Sequence, residues 1–458
     1  MTKYREERDS LGSVKVPVDA LYGAQTQRAA NNFIINPRPM PLRFLCCLAM
    51  IKGAAAQANR ACDVLEPALA DAIAKAAATV RMAPGLENFP VPVFQTGSGT
   101  SSNMNMNEVL ATLASRILGQ AVHPNDHVNA SQSSNDVIPT CIQVAAAEGL
   151  QEQLLPALEN LITATRLRAA ELADVTKTGR THLMDAMPLT LGQELGAWAA
   201  QLADCADRLA DLMPRLLALP IGGSAVGTGV NVPREFPSAF VDSLNALSGQ
   251  AFTVAANSFA RMAGQDVALE CSSCLRALAV VLTKINNDLR WMGSGPLAGL
   301  GEIQLEALQP GSSIMPGKVN PVLPEAVLMA CAEVVANDCA VSIAAQSGNF
   351  QLNVMLPLIA DKLLCGIDNL VGACASSCKT IAGFEVNRDG LQKNLASNPI
   401  LVTALNRIVG YDAAAAIAKR CYLEQRPVID IAAEETSLSR EELERLLDPK
   451  RLTGQSPL

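Results

Sequence analysis

The chain has 458 residues, with 36 Lys and Arg against 44 Asp and Glu, a formal net charge of −8. This acidic balance argues against nucleic acid or an anionic membrane surface as partner, and an anionic ligand would need a local site working against the overall field. Hydrophobic residues reach 49% and charged residues only 17%, a composition expected to bury surface against further copies of the chain.

The start, MTKYREERDS, is charged from the third residue and carries no apolar segment, so no secretory signal is expected. Leu11 to Gly23 reads as short extended pieces, with Val14, Val16 and Val18 alternating. From Pro41 on, Ala/Leu-rich segments follow with helical spacing. Long helices are expected over about 139–174, 189–219, 258–292, 321–346 and 351–382, with kinks at Pro156 and Pro214. Several are apolar on more than one face, which predicts burial all round and neighbours from other subunits. The longest uncharged stretch, 339–360, holds Ser342, Gln346, Asn349 and Asn353 and is too polar for a membrane span. Shorter, more charged helices follow beyond about Val386. The organisation predicted is mainly α in three parts: an N-terminal domain over 1–132, a central long-helix bundle over 133–385 and a small helical domain over 386–458.

The thirteen cysteines include Cys46–Cys47 and Cys271–Cys274. They lie in helical pattern away from any histidine, which reads as buried thiols in a reducing cytoplasm. His123 and His127 have i,i+4 zinc spacing, but Pro124-Asn125-Asp126 opposes a regular helix between them and no third ligand stands out. No metal is expected.

Four polar segments concentrate the chemistry: Thr96–Asn107 (TGSGTSSNMNMN), His123–Asp136 (HPNDHVNASQSSND), Gly179–Met187 (GRTHLMDAM) and Gly311–Asn320 (GSSIMPGKVN). Each is expected to precede a helix, where hydroxyl and amide side chains join exposed backbone N–H groups as anion donors. The plain alternative is N-capping. All three histidines, His123, His127 and His182, fall in these segments, which favours chemistry. Lys318 adds a permanent positive charge, and Gly311 and Gly317 bracket a loop suited to a carboxylate that becomes doubly negative. A P-loop is excluded by the glycine spacing and by Val319 where Ser or Thr is required.

With GSSIMPGKVNP, TGSGTSSNMNMNE, HPNDHVN, SQSSND, GRTHL, YGAQTQRA and the late Thr403–Asn406 and Gly410–Asp412 segments in order, the sequence resembles the class II fumarases of the aspartase/fumarase superfamily along nearly its whole length. The resemblance implies a homotetramer with a multi-helix core, active sites shared between subunits, and reversible hydration of fumarate to L-malate with no cofactor. It implies Ser312 as the proton-abstracting base, His182 in the pair that handles water, and Glu325 holding His182 in its working state. Ser98, Gly99, Thr100, Ser133, Ser134, Asn135, Thr181, Ser313, Lys318, Val319 and Asn320 would hold the substrate carboxylates, and His123, Pro124, Asn125 and Asp126 a secondary dicarboxylate site. Pro321-Val-Leu-Pro-Glu325 is nearer the aspartase form, and Leu219-Pro220-Ile221 also departs from the pattern. An aspartate ammonia-lyase, a hydratase of a methylated diacid such as mesaconate, and a non-catalytic protein on the same scaffold are the alternatives.

Overall fold

The computed structural model describes residues 3–454. Strands β1 (Tyr4–Asp9) and β2 (Gly12–Pro17) pair antiparallel at the start. Helices α1 (Ala24–Asn32), α2 (Leu42–Ala61), α3 (Pro67–Met82), α4 (Thr100–Leu118), α5 (Ser134–Gly149) and α6 (Leu155–Glu171) follow. A hairpin of β3 (Thr176–Thr181) and β4 (Met184–Thr190) leads into α7 (Leu191–Leu216), α8 (Phe236–Ser248), α9 (Ser258–Ala263) and α10 (Asp266–Met292). Next come α11 (Val322–Ala345), α12 (Leu356–Gly383), α13 (Arg388–Ala396), α14 (Asn406–Val409), α15 (Tyr411–Glu424), α16 (Val428–Glu435) and α17 (Arg440–Leu446). The described residues are mainly α, as the sequence predicts; all their sheets are two-stranded.

The helix boundaries refine the sequence expectations for identifiable reasons. α5 begins at Ser134 rather than Pro139, because Ser133 and Asp136 form a reciprocal capping box. Helix then continues to Glu171 through a π turn at Leu150–Leu154, immediately ahead of Pro156. A wider turn there accommodates the N–H that proline lacks. Pro214 falls in the last turn of α7, which ends at Leu216, so here proline precedes a stop and not a kinked continuation. The expected 258–292 helix is interrupted at Gly264-Gln265. The stretch expected over 351–382 opens with a small hairpin, Gly348–Asn349 against Leu352–Asn353, before α12.

The residues form two compact units, one of 1–156, 207–279 and 332–371, the other of 157–206, 280–331 and 372–458. The first contains α2 and α5, both enclosed by their own unit: 14 of 20 residues of α2 and 15 of 16 of α5 are buried. All-round apolar character is thus already satisfied within the protomer for these two helices. In contrast α11 exposes Met329, Val335 and Ile343. It is the one helix among the described residues long and apolar enough to cross a membrane, yet Glu325, Glu333 and Asp338 lie along it. The second unit contains a separate apolar cluster of Leu405, Ile417, Ile431 and Leu443 from the C-terminal helices.

Of the thirteen cysteines, all free, Cys47 and Cys271 are buried, Cys46 and Cys274 half-buried and Cys339 exposed. Burial raises the Cys47, Cys141 and Cys271 thiols, so they act as small hydrophobes.

Candidate active site

In the first unit, the loop before α4 is fixed by backbone that only glycine permits. A Cβ on Gly97 would overlap the Val354 carbonyl, and Gly99, at φ 73°, would place one 3.0 Å from Ile138 of α5. This close approach sets the N-terminus of α4 beside the start of α5. Gln95 braces the turn, its Oε1 accepting the Ser102 N–H at 2.9 Å. Ser98 Oγ lies 2.8 Å from Thr100 Oγ1. The N-cap residue Gly99 offers no side chain to cap α4, and with the Ser102 N–H taken by Gln95 the N–H groups of Thr100 and Ser101 are left beside these hydroxyls.

At the start of α5, Ser133 Oγ accepts the Asn135 N–H at 3.2 Å and Asp136 Oδ1 accepts the Ser133 N–H at 2.9 Å. Asp136 Oδ2 accepts the N–H groups of Gly222 at 3.0 Å and Ser224 at 2.9 Å. Asp136 is fully buried, and burial raises its carboxyl to about 6 against those N–H donors and the Lys52 charge. One N–H of Asn135 Nδ2 goes to the Ala225 carbonyl at 2.8 Å. Asn103 Nδ2 of α4 reaches Ser134 Oγ at 3.2 Å, tying the two helix starts together.

His123 to Asp126 begin a π turn over Pro124–Val128, not the regular helix that i,i+4 metal ligation requires. His123 Nδ1 accepts the Asp126 N–H at 3.1 Å, and His127 Nδ1 accepts the His123 N–H at 2.9 Å. A cleft of about 480 Å³ adjoins this turn, lined by Arg5, Arg8, Glu108, His123 and Asn125. Among the described residues no group of three or more His, Cys, Asp or Glu is placed to hold a metal ion.

In the second unit, Gly179–Met187 forms a β-hairpin, correcting the expectation that a helix follows directly. GRTHLMDAM shows no period-two alternation of apolar residues, and the turn lacks the Asn-Gly that usually marks one. His182 (φ 55°) and Leu183 (φ 61°) occupy its two central positions, both left-handed. A non-glycine pair in that region is strained and held by its surroundings. Lys177 Nζ lies 2.8 Å from both Glu194 Oε2 and Glu302 Oε2, and Arg180 Nη1 2.6 Å from Glu302 Oε1. This nearly dry cluster anchors the base, while Thr181 and His182 project exposed at the tip.

The Gly311–Asn320 loop closes on itself. Gly311 N–H donates to the Lys318 carbonyl at 2.8 Å and Asn320 Nδ2 to the Gly311 carbonyl at 2.7 Å. A Cβ on Gly311 would lie 2.4 Å from the Lys318 oxygen, so the closure needs glycine. Inside the loop, Ser312 Oγ accepts the N–H groups of Ile314 at 3.2 Å and Met315 at 3.0 Å. Ser313, Lys318 and Val319 are exposed, and among the described residues no carboxylate lies in ion-pair distance of Lys318. A cavity of about 420 Å³ is lined by Ser312, Met315, Lys318 and Val319. Glu325 stands exposed in the first turn of α11, and no hydrogen bond joins it to His182 in the protomer. A larger cavity, about 590 Å³, lies elsewhere in this unit, among Leu391, Leu395, Val428 and Leu447.

Lys52 lies outside every polar segment of the sequence, yet with Asn129 and Gln132 of the 123–136 segment it supports the donors at the start of α5. Lys52 is fully buried, and its Nζ donates to Asn129 Oδ1 at 3.0 Å and Gln132 Oε1 at 2.9 Å. The available signal was one lysine in the middle of FLCCLAMIKGAAAQAN.

A family model described as Lyase matches residues 12–336, and one described as Fumarase C C-terminus matches 401–454. The first match alone spans most of the chain and gives the class, an α-helical lyase. The chain is 54% identical over 455 residues to "Fumarate hydratase class II 2" of Pseudomonas aeruginosa, covering 99% of each. It is 55% identical to "Fumarate hydratase class II" of Xylella fastidiosa, covering 98% of this chain and 96% of that one. The crystal structure of class II fumarase from Schistosoma mansoni superposes with a TM-score of 0.96 at 36% identity, covering 98% of this chain and 99% of that chain. The chain belongs to the class II fumarate hydratase family. The resemblance carried by the polar motifs is therefore borne out.

Proposed function

We propose that this protein catalyses the reversible hydration of fumarate to L-malate, as a cytoplasmic homotetramer that needs no cofactor, nucleic acid or membrane. The observation that carries the reading is Ser312, whose Oγ accepts two backbone N–H groups within a loop that also presents Lys318. A serine hydroxyl is a weak base at neutral pH, and two fixed donors favour its alkoxide. The family relationship and full-length coverage by relatives named fumarate hydratase support the same reading.

In the elimination direction, Ser312 takes the proton from the malate carbon next to a carboxylate. The released electron pair moves into that carboxylate, giving a dianionic aci-carboxylate. Lys318, Asn320 and Ser313 would stabilise the added charge, and preorganised donors typically contribute about 3–4 kcal/mol each. The aci-carboxylate then collapses, forming the double bond and expelling the hydroxyl, which leaves as water with a proton from His182. Glu325 would favour the protonated imidazole. Ser98, Gly99, Thr100, Ser133, Ser134, Asn135 and Thr181 would hold the carboxylates through hydroxyls, amides and helix N–H groups. Val319 would line the site, and His123 to Asp126 a secondary dicarboxylate site beside the Arg5 cleft. The division into 1–132, 133–385 and 386–458 belongs to the same reading.

The test is ultraviolet absorbance of the conjugated diacid, with L-malate, L-aspartate and a methylated malate as substrates. Turnover of malate far above the other two is expected. Ammonia release from aspartate as the fastest reaction would overturn the hydratase reading and follow the aspartase form of Pro321–Glu325.

A further inference from the structure

Helix α2 is built almost entirely of Ala, Leu and other apolar residues, yet two buried polar side chains, Lys52 and Asn59, stand on it seven residues apart. Seven residues is two helical turns, so both project from one face. Both reach the segment joining the His123 turn to α5. Asn59 Nδ2 donates to the Ala130 carbonyl at 2.9 Å, and Asn59 Oδ1 accepts from Ser131 Oγ at 2.6 Å. These bonds hold Ser131 in its left-handed conformation, φ 59°. Lys52 takes the other half of the segment. Its two acceptors, Asn129 Oδ1 and Gln132 Oε1, are thereby fixed in amide orientation. Asn129 Oδ1 also accepts from Asn103 at 3.0 Å and Asn107 at 3.1 Å, both on α4. With its oxygen so directed, Asn129 Nδ2 donates to the Gln132 carbonyl at 3.1 Å. Gln132 Nε2 donates to the carbonyls of Val128 at 3.1 Å and Ala130 at 3.0 Å.

A fully buried ammonium is expensive, and among the described residues Lys52 has no carboxylate in ion-pair distance. An unbranched apolar side chain of equal length would fill the helix face without that cost. What Nζ supplies is orientation: both hydrogen bonds it donates end within the four residues that precede Ser133.

We propose that Lys52 is a positioning residue for the hydration site, its buried Nζ donors locking residues 129–132 so that Ser133, Ser134 and Asn135 meet the substrate carboxylate in fixed geometry. This rests on the assignment of those three residues as carboxylate donors. Lys52 touches no substrate and moves no reacting proton. Because a carboxylate is held alike in ground and transition states, loss of Lys52 should weaken binding more than turnover.

The test replaces Lys52 by Met and, separately, Gln132 by Met, with Ser133→Ala and Asn135→Ala as controls on the assignment. KM and kcat for both substrates, the thermal midpoint, the assembly state and hydrogen–deuterium exchange over 127–137 are measured. Lys52→Met is expected to raise KM about tenfold or more while kcat stays within about threefold, the size of effect that small misplacement of binding groups produces. Exchange should rise over 127–137. Gln132→Met should change KM in the same sense by less. If the controls raise KM while an assembled Lys52→Met does not, the positioning role is overturned and the carboxylate assignment stands. If neither control changes KM, the assignment itself falls. Should Lys52→Met fail to assemble, Gln132→Met decides, and an unchanged KM there overturns the proposal.

Discussion

The backbone N–H of Met315 points at Ser312 Oγ from 3.0 Å, and that of Ile314 from 3.2 Å. Both come from the loop that Gly311 and Asn320 close, so the donors are set before any substrate arrives. Ser312→Ala keeps the closure, which runs through Gly311, Lys318 and Asn320, and removes only the oxygen. It is expected to lower kcat by at least about a thousandfold, with KM, assembly and thermal midpoint nearly unchanged. Steady-state absorbance assays check this, and a variant with near-normal turnover would take the base role away from Ser312.

Asp136 accepts three backbone N–H groups, from Ser133, Gly222 and Ser224, and donates to none. Asp136→Asn must turn an NH2 group toward at least one of these donors. The buried mismatch should cost about 1–3 kcal/mol, visible as a lower thermal midpoint. It should also raise KM, since Ser133 begins the proposed carboxylate loop. An unchanged midpoint would mean that the loop relaxes around the amide.

How much of this was legible in the residues depends on scale. The helical class and the four polar loops follow from periodicity and from hydroxyl and amide clusters, which are local features. Ser312 is found because its motif is contiguous. Its two N–H donors are not, because a backbone amide has no letter in the sequence. Lys52 and Asn59 were missed for another reason: each meets residues more than seventy positions away, so their meaning appears only when α2 packs against the 128–133 segment. The β3–β4 hairpin was hidden because its turn is strained His182-Leu183 rather than a glycine pair.

Burial brings Lys52 down to about 7, against the favourable field of Asp136 and with the Cys141 thiol also facing it. In the unfolded chain a lysine titrates near 10.4. Between about pH 7 and 10 the unfolded state therefore binds more protons than the native state. The group's contribution to stability rises with pH across that window, by up to about 1.4 kcal/mol per unit, and is lost as pH falls through about 7. Lys52→Met removes this slope. The difference in thermal midpoint between parent and variant should shift in favour of the parent from pH 7 to pH 9. Parallel curves over that range would mean that Lys52 stays charged in the native state.

The four loops offer hydroxyls, amides, Lys318, Arg180, three histidines and the carboxylates of Asp126, Asp136 and Asp185, and among the described residues no three His, Cys, Asp or Glu are grouped to hold a metal ion. Activity should therefore survive dialysis against EDTA and exposure to air, with kcat and KM unchanged. Loss in EDTA that zinc or iron restores would overturn the proposed route, because the base and acid roles would then need a metal-bound water.

The final prediction concerns which chains supply one site. Asn135 lies in the first unit and Lys318 in the second, and the proposed homotetramer takes the loops of each site from different subunits. α11 exposes Met329, Val335 and Ile343 on the protomer, an apolar surface that association would cover. Asn135→Ala removes a carboxylate donor and Lys318→Ala the charge opposite the developing dianion, so each variant alone should be nearly inactive when assayed at substrate well below the parent KM. Unfolded and reassembled together in equal amounts, the two variants mix. Where the two loops come from independent chains, each has an even chance of being the intact one, and about one site in four should work. Assays of the purified mixed tetramers should recover roughly that fraction of parent activity. If mixed tetramers form and remain as inactive as the two parents, Asn135 and Lys318 serve a site from the same chain, and the shared-site reading is wrong.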